Sequence, residues 1–339
     1  MKKIVSLLLA TTVMLTMVGC GSKSAPAEES KTTEVQQTTE AEKKVDFPTK
    51  PITLICPWSA GGGSDQICRA VASVADKYLG QSMVVENKDG AGGTIGITEA
   101  KQAAPDGYTI VLATTGVFLT QPLMREVSYS LDDFESVAMV STDEICICVP
   151  ASCTANNIAE LADLYKSKTL NATGNSSGSL MELLSKDVYS QAGIDVNLVP
   201  YSGGSSECIA ALLGGEIEAI AVHPYEVASN ISAGTITMLG VTGDTRQTIA
   251  PDTETFSEQG IDTSFNVLKG FFVPAGTDPE VINILSETFG KIFEDDEFQK
   301  FANNINLNLT PLLGDECKQA YEKQMNATMD KAKTLLGVQ

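Results

Sequence analysis

The sequence predicts an α/β protein of two lobes, each a mostly parallel β-sheet flanked by helices. Three observations carry this. Apolar runs of strand length alternate with amphipathic stretches of about ten to fifteen residues, the pattern of parallel strands joined by crossover helices. The alternation is too long for one sheet, since residues 47–339 remain once a leader and a polar segment are set aside, enough for one large domain or two ordinary ones. Two glycine clusters, "SAGGGS" and "DGAGGT", each follow an apolar run and open a helical one.

Taken in order, "ITLICPW" reads as a buried strand and "SDQICRAVASVADKYLG" as a helix, with Ser64 or Asp65 as N-cap and Gly80 at its end. "SMVVEN" is the next strand, and "TIGITEAKQAAPDG" a helix stopped by Pro105. "YTIVLAT" is a third strand, followed by the apolar "GVFLTQPLM"; "VAMVSTDEICICVP" is two strands or a bent one. The second lobe continues with a helix capped near Asn156 or Asn157, the strand "TLNATG", the helix "SLMELLSKDVYSQAG" and the strand "VNLVPY". "SSECIAALLGGE", "IEAIAVH", "YEVASNISAG" and "ITMLGVT" alternate helix and strand, and "LKGFFVPAG" precedes helices from Pro279 to a C-terminal amphipathic one ending near Leu336. The crossings between lobes fall beside turn residues, which gives lobe 1 as 47–148 plus 269–339 and lobe 2 as 149–268.

The N-terminus is expected to be an address. Lys2 and Lys3 precede "IVSLLLATTVMLTMV", which ends at Gly19-Cys20, so residues 1–19 read as a secretory signal peptide. "MVGC" resembles a bacterial lipobox, with Cys20 as the lipid-modified first residue of the mature lipoprotein. Residues 20–46 then form a disordered tether, because two branched apolar residues, Val35 and Val45, and no aromatic among residues 21–46 cannot offset the entropy of ordering. The folded part stands outside the cytoplasm, held at the cell membrane by the lipid.

The formal charge is −20, two units more negative once Lys2 and Lys3 leave with the signal. A field of that sign excludes nucleic acid and anionic lipid as partners held by net charge. Of eight cysteines, seven remain after Cys20, an odd and scattered set that does not read as a disulfide framework. Cys146 and Cys148 in "EICICVP" read as buried strand thiols, and no ligand pairs stand at zinc-site spacing. There is one histidine, His223, and no G-x-S-x-G, so a Ser-His-Asp enzyme finds no support.

A glycine turn entering a helix exposes backbone N–H groups at the positive end of the helix dipole and suits any anion. A Walker reading of "AGGGSDQIC" fails for want of Gly-Lys-Ser/Thr. Gly90, Gly92 and Gly96 are one residue too long for a dinucleotide fingerprint, and an extracytoplasmic address argues against nicotinamide cofactors. No cofactor is expected. The remaining reading is capture of a small free carboxylate.

"PITLICPWSAGGGSDQICR", "MVVENKDGAGGTIGITEAKQAAPDGYTIVLAT", "VPYSGGSSECIAALLGGEIEA" and "FFVPAGTDPEV", in this order over about residues 47–315, resemble the substrate-binding components of tripartite tricarboxylate transporters, the TctC or Bug family. The resemblance implies a two-lobed periplasmic binding protein fold of the second type that closes on an organic acid and delivers it to integral membrane permease subunits. It further implies that main-chain amides and bridging waters, with little direct salt bridging, hold the ligand carboxylate. The residues implied are Trp58, Ser59, Ala60, Gly61, Gly62, Gly63 and Asp65 in the first loop and Gly90, Ala91, Gly92 and Gly93 in the second. Thr114 and Thr115 follow the third strand, and Ser176, Ser177, Tyr201, Gly203, Gly204 and His223 come from the far lobe. The residues themselves leave alternatives open: Trp58 as cleft wall or as packing under the loop, His223 as contact or as packing, Asp65 as helix cap. Arg69, inside its helix, is expected in a structural ion pair. The protein is expected to act as a monomer; a receptor for an amino acid or other solute is the alternative function.

Overall fold

The computed structural model describes residues 45–338, apart from Ser202, Gly203 and Ser264. The signal peptide, Cys20, nearly all of the tether and the expected site residue Gly203 lie outside the described residues.

The first sheet contains β1 (Ile52–Cys56), β2 (Met83–Asn87), β3 (Thr109–Thr114), β4 (Phe134–Asp143), β10 (Val267–Pro274) and β11 (Leu309–Leu313), in the order β11-β4-β10-β3-β1-β2. The second contains β5 (Cys146–Pro150), β6 (Leu170–Thr173), β7 (Val196–Leu198), β8 (Ala219–Val222) and β9 (Ile236–Val241), in the order β7-β6-β8-β5-β9. Helices α1 (Gly63–Leu79), α2 (Thr94–Gln102) and α3 (Thr115–Met124) serve the first sheet; α4 (Ile158–Leu164), α5 (Leu180–Gln191), α6 (Ser205–Gly214) and α7 (Ala228–Ser232) serve the second. The chain ends in α8 (Pro279–Glu294), α9 (Asp296–Ile305) and α10 (Asp315–Leu336).

The expectation of mostly parallel sheets needs correction. β2, β1 and β3 run parallel, as do β7, β6 and β8, because helices connect them. β10 lies antiparallel between β3 and β4, and β5 antiparallel between β8 and β9. A strand that arrives from the other sheet needs no crossover helix and is free to take the opposite direction. Each sheet is therefore mixed.

The sheet changes over 144–145, between the end of β4 and the start of β5, a few residues before the expected 148/149. It changes back between Val241 and Val267. Helix α10 does not keep to the first lobe. Cys317 and Tyr321 pack with Phe118 and Phe272 of the first sheet's core, whereas Ala332 packs with Leu184 and Val188 of the second. Tyr321 Oη donates to the carbonyl oxygens of Ala113 (2.6 Å) and Leu268 (3.1 Å), pinning α10 where the strands cross.

Local sequence explains the elements. In α1, Ile67, Cys68, Val71, Val74 and Ala75 are buried, the three-and-four spacing of one apolar helix face. Each such fully buried branched side chain contributes about 1.5–3 kcal/mol. Gly80 ends the helix at φ 66°, in the left-handed conformation glycine adopts without strain. On β5, Cys146 and Cys148 face the same side with Sγ atoms 3.5 Å apart, fully buried.

Candidate functional site

The turn after β1 is drawn tight from behind. Gly62, not Ser64 or Asp65, is the N-cap of α1, and no side chain caps it. Asp65 is in the first turn, 3% exposed, facing away from the cavity described below. Its Oδ2 accepts the Gly61 N–H (2.8 Å) and Arg69 Nε (2.9 Å), and its Oδ1 accepts from Asn87 Nδ2 (2.9 Å). Burial alone would push this carboxyl up, but Arg69, the Gly61 amide and Asn87 hold it below the usual range. Asp65 thus ties loop, helix and β2 together, and Arg69 is in the expected ion pair.

The second turn is wound in the left-handed sense throughout. Gly90, Ala91, Gly92 and Gly93 have φ of 133°, 48°, 67° and 95°, and Ala91 bears a strain of roughly 1–2 kcal/mol as an L-residue there. Gly92 reaches the cavity wall; Gly90, Ala91 and Gly93 shape the turn behind it. A Cβ on Gly92 would collide with the Gln121 amide, and one on Gly93 would lie 3.1 Å from Val117.

From the second lobe, Asn175 takes φ 72°, its Oδ1 accepting the Ser176 N–H and its Nδ2 donating to Ser205 Oγ, both at 3.0 Å. Ser179 caps α5 by accepting the Glu182 N–H (3.1 Å).

These turns surround a cavity of about 90 Å³ between the sheets. The starts of four helices line it: Gly63 and Ser64 of α1, Gly116 and Val117 of α3, Leu180 and Met181 of α5, and Ser205 of α6. Three of the four, α1, α3 and α6, have no N-cap side chain bonded to their first N–H groups, although in α1 the Gly63 N–H is taken by Glu226 of the facing lobe. An uncapped helix start leaves N–H donors without an intrahelical partner, so the cavity wall is rich in donors and positive dipole ends.

One cation is in the wall, and the sequence reading missed it. Lys269, 2% exposed, lines the cavity from β10. Its Nζ is 2.5 Å from Asp143 Oδ2 and donates to Tyr225 Oη at 2.5 Å. Tyr225 Oη donates to Asp143 at 3.0 Å, and Tyr225 stacks on His223 with ring centroids 5.3 Å apart. His223 Nδ1 is 2.8 Å from the Glu144 carbonyl oxygen, and its Nε2 3.8 Å from Asp143 Oδ2. Burial raises the Asp143 carboxyl, but Lys269 and His223 outweigh it and hold it low. Burial pushes His223 down, with Lys269 adding to the effect. Glu226 Oε1 accepts the Gly63 N–H across the cleft (3.3 Å), while Oε2 accepts the N–H of His223 (3.0 Å).

Of the expected site residues, Trp58, Ser59, Gly62, Gly63, Gly92, Thr114, Ser176, Gly204 and His223 meet at this cavity. Ala60, Gly61, Asp65, Gly90, Ala91, Gly93, Thr115, Ser177 and Tyr201 do not line it. Thr115 is buried with Oγ1 accepting the Leu268 N–H (3.0 Å), joining α3 to β10. Ser177 offers its carbonyl to Gln121 (3.1 Å), and Tyr201 packs on the second lobe's core. Trp58 both lines the cavity and packs against the core, so its two readings coexist. Polar residues of the lining that the sequence did not single out for the site include Ser64, Gln121, Ser205, Glu226 and Lys269. Lys269 alone had a signal: a charge inside the otherwise apolar "VLKGFFVP".

Two lobes with a donor-rich cavity between them define a solute-binding receptor. The chain matches the family described as tripartite tricarboxylate transporter family receptor over residues 67–337, and it belongs to that family, whose members are solute-binding receptors rather than enzymes. Protein BugT of Bordetella pertussis is 31% identical over 251 residues, 71% of this chain and 75% of that one. A TctC solute-binding protein from Polaromonas superposes with a TM-score of 0.66 at 30% identity, covering 85% of this chain and 99% of that one. The periplasmic binding protein BugD superposes with a TM-score of 0.79 at 27% identity, covering 86% and 99%.

Proposed function

We propose that this protein captures a small organic carboxylate in the interlobe cavity and delivers it to the membrane permease subunits of a tripartite tricarboxylate-type transporter. It does so outside the cytoplasm, anchored through a lipid on Cys20 and acting as a monomer. The observation that carries this reading is the convergence of three helix starts that lack a side-chain N-cap on a cavity whose cation is already matched by Asp143. Peptide dipoles, rather than net positive charge, supply the attraction for an anion.

Capture follows from the two-sided construction. The first lobe offers the starts of α1 and α3, with Gly62, Gly63, Gly92 and Thr114 beside Trp58 and Ser59. The second adds the starts of α5 and α6, with Ser176, Gly204 and His223. Contacts made only when both lobes meet the ligand favour the shut form by their own free energy. The lobes hinge at 144–145 and over 242–266, with α10 as a strap across both.

A thermal-shift and calorimetric screen of carboxylates against their amides, and of neutral sugars, tests this. At a hundredfold excess over Kd the right carboxylate stabilises the protein by about 2.7 kcal/mol, while its amide does nothing. A tightest ligand without a carboxylate would refute the reading.

A further inference from the structure

Gln121 is 1% exposed and lines the cavity from α3, yet no donor among the described residues reaches its Oε1. The amide's orientation is set by its other end. Nε2 donates to the Ser177 carbonyl of the opposite lobe at 3.1 Å, and a flipped amide would set two carbonyl oxygens against each other. The amide occupies a slot made for it. Gly92 and Gly178, at φ 67° and 78°, flank it, and a Cβ at Gly178 would come within 2.7 Å of Nε2. The structure therefore holds a rigid acceptor in a wall otherwise made largely of donors.

Resting on the carboxylate reading above, we infer that Gln121 Oε1 accepts a hydroxyl of the ligand, and that the receptor selects hydroxy acids over their deoxy counterparts. Oε1 is already buried without a partner, so a ligand that brings a donor to it satisfies a stranded acceptor, and one that brings none leaves it stranded. Side chains on a helix lean toward its N-terminus, so the Gln121 amide comes back toward the first turn of α3, one of the helix starts that line the cavity. An ammonium could also donate, but the positive ends of four helices surround the cavity and disfavour a cation, while Glu226, the carboxylate in the wall, accepts the Gly63 and His223 N–H groups. Gln121 is thus a specificity residue of the binding reaction.

The test is isothermal calorimetry with matched series: succinate, malate and aspartate; glutarate, 2-hydroxyglutarate and glutamate; propionate, lactate and alanine. In at least one series the wild type binds the hydroxy acid about 10- to 100-fold more tightly than the deoxy acid. Gln121→Leu and, as a closer match in shape, Gln121→Met bring the two affinities together by weakening the hydroxy acid alone. Ligand-free melting temperatures report whether each variant is folded, and the wild-type ratio needs no variant. Equal wild-type affinities, a preference for the amino acid, or a ratio preserved in both variants would overturn the inference while leaving carboxylate capture intact. Failure of every acid in every series to bind would overturn both.

Discussion

Lys269 changes the electrostatic account of the site. Glycine turns alone suggest an anion held purely by neutral dipoles, yet a buried lysine stands in the wall. Its partner Asp143, 2% exposed, stands 2.5 Å away, so the pair is close to neutral and the peptide N–H groups remain the main attraction. Removing one partner strands the other charge in the interior. Lys269→Met should therefore destabilise the protein by about 3–5 kcal/mol in urea denaturation, and Lys269→Met with Asp143→Leu should recover most of that. If dipoles hold the anion, the double variant keeps its ligand affinity within about tenfold. A double variant that is stable but binds nothing would show that the lysine, not the peptide groups, grips the ligand.

At the scale of elements, the strands and helices are legible because their information is local. The apolar face of α1 and its glycine stop at Gly80 follow from side-chain period and backbone freedom, which neighbouring residues share. The cap of α1 was not legible, because Asn87 on β2 and Arg69 draw Asp65 inward and leave Gly62 at the cap position. The single turn at Pro224–Val227 closes against the mouth of α1. Gly63 has an ordinary helical backbone, yet a Cβ there would lie 2.6 Å from Tyr225 Oη and 2.7 Å from Glu226 Oε1. Gly63→Ala should thus leave the first lobe unstrained while opposing closure. The expected outcome is a ligand affinity at least about tenfold weaker, since 1.4 kcal/mol of steric opposition suffices, with a wider scattering envelope at saturating ligand than the wild type shows. An unchanged affinity would mean that the lobes close without this contact.

At the scale of the molecule, burial of ionisable groups where the sheets exchange strands links stability to pH. Burial, reinforced by Lys269, holds His223 below the ordinary value of 6.5. As pH falls through 6.5 the unfolded chain takes up a proton that the folded chain refuses, so stability is full above 6.5 and declines below it. Asp143, held below 3.8, adds a second loss only in stronger acid. Glu144, raised by burial above 4.5, acts in the opposite sense as pH approaches that value. The diagnostic window is therefore from 6.5 to about 5. The melting temperature should fall across it, and His223→Gln should flatten the slope; an equal slope in the variant would place its origin elsewhere.

The sequence by itself determined the order of strands and helices apart from β11 near the C-terminus, the α/β class, the two glycine turns at helix mouths and the family resemblance, because each is written in side-chain period and local backbone preference. Only the tertiary structure decided the antiparallel strands, the path of α10 across both lobes, and the meeting of Gln121, Glu226 and Lys269 at one cavity. Those depend on which distant segments pair once burial brings them together, and no short stretch of chain carries that information.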